Sequence, residues 1–524
     1  MALMNLSTGP RQRDKVYGRK RLVPLATSDA NRSLFAGNDP SLSLEKAVAK
    51  LSIKEAHDSI QTQRSAAALN DNQYQEERLP GRCDKQEHDE PPQDVSFAPD
   101  EDVVTVSKPV VERKVALSKE ERAVLKPVMA FHRVASFARD FSAFGSQLTK
   151  EFDVRKLNEG SYSDCFVVRK PNEDVETAVL KIIPLECNGR ASSGAASRAY
   201  DFLREVKLLA ALEDFHGFAQ IFRSRIVRGR MHDQMIQAAR DWLETTQEDV
   251  DKTIDPGSRY PEDQIYGVIE MAYAGTDLDL LEKPSAFQAF DVFWMVAILL
   301  AKAEKEIEFE HRDLHMSNIC FRPGNEGTVD VSTGFVQDMR KNPSKVLGLS
   351  GLRVSIIDYT HSRMRDAKTG EILYNPECPF TAEEMASYKR ERRPCDQLDT
   401  IVKAQQWMSQ SHQIQKDGAA KYETFTPKTN VIWLSNVLYE LTKTAGSKKK
   451  RCHVPGSSAT AKDLQDDLWN KLAKTLKWIG SPDLHSLPES AERFLNEAMD
   501  LGLIAKPDVD AFMESLNIDA SPAG

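Results

Sequence analysis

The chain is 524 residues long, 40% hydrophobic and 28% charged; at roughly 100–200 residues per domain, three or four domains would fit if all of it folded. Its 70 basic and 79 acidic residues give a net charge of −9, which excludes the global positive field of a protein that coats nucleic acid. Seven cysteines, scattered and never spaced C-x-x-C, exclude a disulfide framework and a zinc ribbon and fit a reducing cell interior.

Residues 1–122 mix Ser, Asn, Gln and charge without sustained periodicity, and residues 80–102 are acidic with four prolines. Such sequence cannot bury enough apolar surface to offset its ordering entropy, so a disordered arm is expected. Within it only residues 41–54 approach helical spacing. The start of the chain lacks a secretory pattern, so an intracellular protein is expected.

Order is expected from near Leu125, where Val128, Phe131, Val134, Phe137 and Phe141 recur three or four apart and predict one amphipathic helix running into residues 152–158. The period then changes. Residues 165–168 and 177–183 are β-rich runs around a polar turn, predicting two antiparallel strands. Residues 197–212 have a helical pattern, 228–261 read as a polar insert of helix and loop, and 264–271 as a further strand. A long helix is predicted over 287–308. It contains the longest apolar run, 292–301, too short for the roughly 20 residues of a membrane span and read as a buried helix. A short strand over 354–357 and an amphipathic helix over 429–442 follow.

Strand-rich sequence followed by helix-rich sequence predicts an α+β class with two lobes. The expected division is the arm at 1–122, an N-terminal lobe with hinge at 123–278, a C-terminal lobe at 279–445, and a partly helical extension at 446–524.

The motif with most chemical content is His311-Arg312-Asp313-Leu314-His315-Met316-Ser317-Asn318. It meets every fixed position of H-R-D-L-x-x-x-N, the protein-kinase catalytic loop. A carboxylate there accepts the proton of a substrate hydroxyl, and an amide oxygen five residues on coordinates metal on the phosphates. Asp358 follows an apolar strand, where a kinase places its second metal ligand. Lys181, in Ala178-Val179-Leu180-Lys181, stands where a strand lysine meets the α- and β-phosphates, and Glu205 is its expected helix partner. The phosphate-covering turn, Asn158-Glu159-Gly160-Ser161-Tyr162-Ser163-Asp164-Cys165, keeps only the middle glycine of G-x-G-x-x-G-x-V. Asn158 and Ser163 occupy the outer positions and Cys165 replaces Val. Val179 is bulkier than the usual alanine and would narrow the adenine slot.

These residues resemble one kinase family in particular, haspin, atypical serine/threonine kinases that phosphorylate a threonine near the amino terminus of histone three. The resemblance rests on His315 within the catalytic loop, on Asp358-Tyr359-Thr360 in place of Asp-Phe-Gly, on residues 425–434, and on residues 227–277, which resemble a fungal-type insert and hinge. It covers about residues 152–443. It implies a bilobal kinase fold with Asp313 as base, Lys181 and Glu205 as ion pair, and Asn318 and Asp358 as ligands of Mg²⁺. ATP would lie against Asn158, Glu159, Gly160, Ser163, Cys165, Val179 and Lys181, with a hinge of Ala272, Tyr273, Ala274 and Asp277. No Ala-Pro-Glu follows Asp358, as in haspin-like kinases, which are typically active without activation-loop phosphorylation. Asp399 loosely matches the family's later Asp segment.

The implied partner is a protein substrate, a basic histone tail, with chromatin association in the nucleus and the cytoplasm as a second location; neither membrane nor sequence-specific nucleic-acid binding is expected. Glu371, Glu377, Glu383 and Glu384 are candidates for an acidic groove. Arg19-Lys20-Arg21 and Lys448-Lys449-Lys450-Arg451 suit nuclear import or phosphate contact. The altered glycine turn leaves a pseudokinase acting as a binding or scaffold module as the alternative, and a small-molecule kinase as a third.

Overall fold

The computed structural model of the protein describes residues 114–131, 134–160, 163–172, 176–187, 196–246, 254–281, 283–324, 329–330, 335–336, 346–415, 420–443 and 459–518. Residues 1–113 of the expected arm, its candidate helix at 41–54 and both basic clusters lie outside the described residues.

After β1 (Lys114–Val115), helix α1 (Lys119–Ala130) starts at a reciprocal capping box. The Ser118 hydroxyl accepts from the Glu121 amide, and the Glu121 carboxylate accepts from the Ser118 amide. The single helix expected from Val128 to Phe141 is instead three elements. α1 ends at Ala130, β2 spans Val134–Asp140, and α2 spans Phe141–Glu151, capped by the Asp140 carboxylate on the Ala143 amide. Parallel pairing of β2 with β7 (Ile221–Arg228) overrides the helical spacing.

The N-terminal lobe is one eight-stranded sheet, ordered β1-β2-β7-β8-β5-β4-β3 with β6 (Ser197–Arg198) beside β5. Here β3 is Asp153–Glu159, β4 Asp164–Arg169, β5 Glu176–Glu186 and β8 Ile265–Ala272. The β4/β5 pair and β8 match the expected strands. β7 was not anticipated: its arginines disguise it, and Arg223 and Arg225 both pair with Glu270 on β8, at 2.6 and 2.7 Å. Helix α3 (Ala199–Ala211) packs into the main core on one side of the sheet. On the other side α2 and the insert helix α4 (Asp233–Thr245) close a second apolar cluster of Phe141, Phe144, Phe166, Met235 and Tyr266.

The C-terminal lobe is organised around α5 (Ala286–Ile307), capped by Ser285 and Gln288 and buried along nearly its whole length. It is long and apolar enough to cross a membrane by composition, but its apolar window is 94% buried inside the protein. Asp291, within this helix, is fully buried and accepts from the amides of Gly348 and Ser350 and from the Ser350 hydroxyl. Beyond it, β9 (Thr276–Asp277), β10 (Ile319–Pro323) and β13 (Leu352–Ile356) form a small sheet; β11 (Val329–Asp330) with β12 (Phe335–Val336) and β14 (Met364–Arg365) with β15 (Ile372–Leu373) form two separate strand pairs. Helices α6 (Ala382–Glu391), α7 (Gln397–Gln415) and α8 (Lys428–Lys443) follow.

The terminal helices α9 (Ala459–Ile479), α10 (Ala491–Asp500) and α11 (Lys506–Ile518) belong to the same core. Phe494 of α10 stacks on Trp294 of α5, 5.5 Å between centroids, and leans on Trp478 of α9. The N-terminus of α10 is received by Glu304 of α5, whose carboxylate also accepts from Asn430. Burial pushes the Glu304 carboxyl up to about 8.

Candidate active site

Two registers bring the chemistry together. β10 pairs with β9 through Cys320 and Asp277 and with β13 through Ile319 and Ile356. The hinge, the loop before Ile319 and the residues after Ile356 therefore meet at one end of a small sheet. The hinge makes a demand on its own sequence: Gly275 has φ +110°, and a Cβ there would lie 2.2 Å from the Phe321 carbonyl oxygen, so only glycine lets the two backbones approach.

The catalytic loop is held from behind. His311 is buried; its Nε2 faces the Ile357 carbonyl at 3.0 Å and its Nδ1 accepts from the Asp313 amide at 3.3 Å. Arg312, at φ +65°, pairs with buried Glu310 at 2.9 Å and donates to the carbonyls of Tyr422 and Thr424. Glu310 also accepts from the Thr426 amide and from the hydroxyls of Thr426 and Thr429. Burial opposes its charge, but Arg312 and these donors outweigh burial and hold the carboxyl below its ordinary range.

Asp313 is thereby fixed by backbone contacts on both sides. Its carbonyl accepts from the Asn318 side-chain amide at 2.8 Å, and the same nitrogen lies 3.2 Å from His315 Nε2. With the nitrogen of Asn318 engaged, its amide oxygen is left for a cation. His315 Nε2 lies 3.9 Å from the Asp313 carboxylate. Asp279, which the sequence reading missed, receives the Ser317 hydroxyl and ties the turn after the hinge to this loop.

Lys181 and Glu205 meet as expected, Nζ to Oε1 at 2.6 Å, and Lys181 also lies 3.7 Å from Asp358. Burial works against the ammonium, but the charges of Asp358 and Glu205 hold it above its ordinary range. Asp358 sits at φ +60° and accepts from the amide and hydroxyl of Thr360. Burial raises its carboxyl, yet Lys181 and Thr360 prevail and keep it well below the usual carboxylate range. Tyr359 points the other way into the core, accepting from the Ala219 amide and donating to the Ile356 carbonyl, both at 2.7 Å. Among the described residues no group of three metal-ligating side chains gathers. Asn318 and Asp358 thus suit a cation whose other ligands are phosphate oxygens and water, which is how Mg²⁺ is commonly held.

The remaining candidates divide. Cys165 faces Lys181 across β4 and β5 and Asn158 across β3, and Val179 lies between Val167 and Met271. Gly160 donates to the Ser163 carbonyl at 2.8 Å and closes the turn. Ala272 and Tyr273 bond to the Gln220 and Thr177 carbonyls, and Ala274 lies between Tyr273 and Gly275 at the hinge. The Glu159 carboxylate, by contrast, is engaged by Lys156 and Arg259 at 2.7 and 2.6 Å, so its part in the turn is that of backbone.

Of the acidic-groove candidates, Glu371 pairs with Lys207 and Glu377 with Arg198, while Glu384 closes a capping box with Thr381 and Glu383 lies in the same first turn of α6. Asp399 is buried and held by Arg392, Lys403 and the Cys395 amide. Asp399 is thus part of the fold, while Glu371 and Glu377 are held in exposed ion pairs.

A family model described as haspin like kinase domain matches residues 146–477, beginning inside α2 and extending past the limit of 443 expected from the sequence. The haspin homolog of Drosophila melanogaster is 26% identical over 306 residues, covering 56% of this chain and 49% of that protein. The haspin homolog hrk1 of Schizosaccharomyces pombe is 26% identical over 316 residues, covering 58% of each. Haspin of Mus musculus is 24% identical over 349 residues, covering 63% of this chain and 41% of that protein. The chain spans about half the length of the curated relatives it matches. With the family match covering more than half of its residues, with Lys181 in contact with Glu205 and Asp358, and with Asn318 holding the Asp313 carbonyl, the chain belongs to the haspin-like kinase family.

Proposed function

We propose that the chain is an ATP- and Mg²⁺-dependent protein serine/threonine kinase acting in the nucleus on chromatin, with a threonine near the amino terminus of histone three as its substrate. The observation that carries the kinase reading is the contact of Lys181 with both Glu205 and Asp358. A lysine so held presents a fixed charge to the nucleotide phosphates, and Asp313 is placed to orient a substrate hydroxyl and accept its proton. Bound Mg²⁺ would neutralise charge on the phosphates. Arg312, already compensated by Glu310 and two carbonyls, has its charge satisfied within the fold, which supports activity without a phosphorylated activation segment.

The histone reading rests on the chain's membership of the haspin-like family rather than on an acidic groove, since Glu371 and Glu377 are engaged by Lys207 and Arg198. It is tested with the full chain, MgATP and intact histone octamer, followed by peptide mapping and an array of basic Thr-containing peptides. Phosphate concentrated on one threonine near the amino terminus of histone three is expected. A flat response across the array would overturn the histone assignment.

A further inference from the structure

The phosphate-covering turn is flanked by two carboxylates, Glu159 ending β3 and Asp164 starting β4, which are direct cross-strand partners. Strand side chains alternate between faces. The adjacent cross-strand set, Asn158, Cys165 and Lys181, lies on the other face of the hairpin, and Lys181 marks that face as the cleft. Glu159 and Asp164 therefore share the outer face, where Lys156 and the insert meet them. Lys156 is 2% exposed, with Nζ 2.7 Å from Glu159, 2.6 Å from Asp164 and 4.6 Å from the ring centre of Trp242 on α4. Arg259, from the loop after α4, reaches Glu159 at 2.6 Å and Asp164 at 4.0 Å. Burial disfavours the Glu159 charge, but Lys156 and Arg259 hold the carboxyl below its ordinary value. The pocket that Lys156, Asp164 and Arg259 line with Phe166 and Tyr266 has a volume of about 20 Å³, room for about one water molecule. It is a brace and not a ligand cavity.

We propose that Arg259 is a positioning residue for nucleotide binding: from the insert it holds, with Lys156, the two carboxylates at the base of the phosphate-covering turn on the outer face of the hairpin. Two things follow from this arrangement. The brace anchors a turn that retains a single glycine, and it neutralises two negative charges one strand-thickness from the place of a triphosphate. Losing it penalises ligands that carry phosphates and spares those that do not.

The inference rests on the kinase reading, and its test separates the two. Affinities of the full chain for MgATP and for adenosine are measured by calorimetry for the wild type, Arg259→Ala and Arg259→Lys, with melting temperatures as a check on folding. Arg259→Ala is expected to weaken MgATP about fivefold, the scale of one partly exposed charge pair, with adenosine unchanged. Arg259→Lys, which keeps the cation, is expected within about twofold of wild type for both ligands. Should the alanine variant not fold, Arg259→Gln, which keeps length and a polar head, is read in the same way. Equal weakening of both ligands, or of neither, overturns the proposal and leaves the kinase reading standing. A wild-type chain that binds no MgATP overturns both.

Discussion

His311 couples the catalytic loop to pH. Its Nδ1 accepts from the Asp313 amide, and its Nε2 donates to the Ile357 carbonyl, an arrangement only neutral imidazole can satisfy. Burial pushes its pKa down to about 4 from an ordinary 6.5, although the Ile357 carbonyl and the Asp313 charge favour the cation. Between those values the unfolded chain binds the proton more readily than the folded one. Stability from this group is therefore complete above about pH 6.5 and is lost as pH falls through about 4, a change on the order of 3 kcal/mol. Melting temperatures measured from pH 7 to pH 4.5 are expected to fall more steeply for the wild type than for His311→Asn. Parallel slopes would show that His311 does not carry the effect.

Phe494 shows how the elements depend on one another. It is fully buried, stacked on Trp294 and edge-on to Phe293, with Trp478 beside it. Phe494→Ala leaves a cavity between α5, α9 and α10 and is expected to cost about 3–5 kcal/mol, read from chemical denaturation. An effect below about 1 kcal/mol would mean that α9 and α10 dock only peripherally. That dependence was not visible in the sequence, which suggested only a partly helical extension after residue 445. The reason is physical: α5 is apolar on every side, so its pattern records burial without naming what covers it. The helix expected across Val128 to Phe141 failed similarly, since a spacing of three or four residues does not reveal that Val134–Asp140 finds a strand partner in β7. The β4/β5 hairpin and the α3, α5 and α8 helices were legible because their apolar patterns agree with their tertiary surroundings.

At the scale of the whole molecule the site was more legible than the fold around it. Asp313 and Asn318 lie in one contiguous motif, and Lys181, Glu205 and Asp358 each stand at the expected end or face of a strand or helix. What the sequence concealed are the supports supplied from a distance: Glu310 with Thr426 and Thr429 under Arg312, Asp279 at Ser317, and Arg259 behind the phosphate turn. Each is a single charged or polar residue in unpatterned sequence, and only folding gives it a partner. The glycine-poor turn, which alone favoured a pseudokinase, is seen with its outer face braced.

Phosphate transfer by this site is measured by incorporation from labelled ATP with Mg²⁺ into histone octamer by the full chain and by Asp313→Ala. Removal of the proton-accepting carboxylate is expected to lower the rate by about 100-fold or more without unfolding the protein. Equal incorporation by both chains, or none by the wild type, would show that Asp313 does not serve a histone kinase.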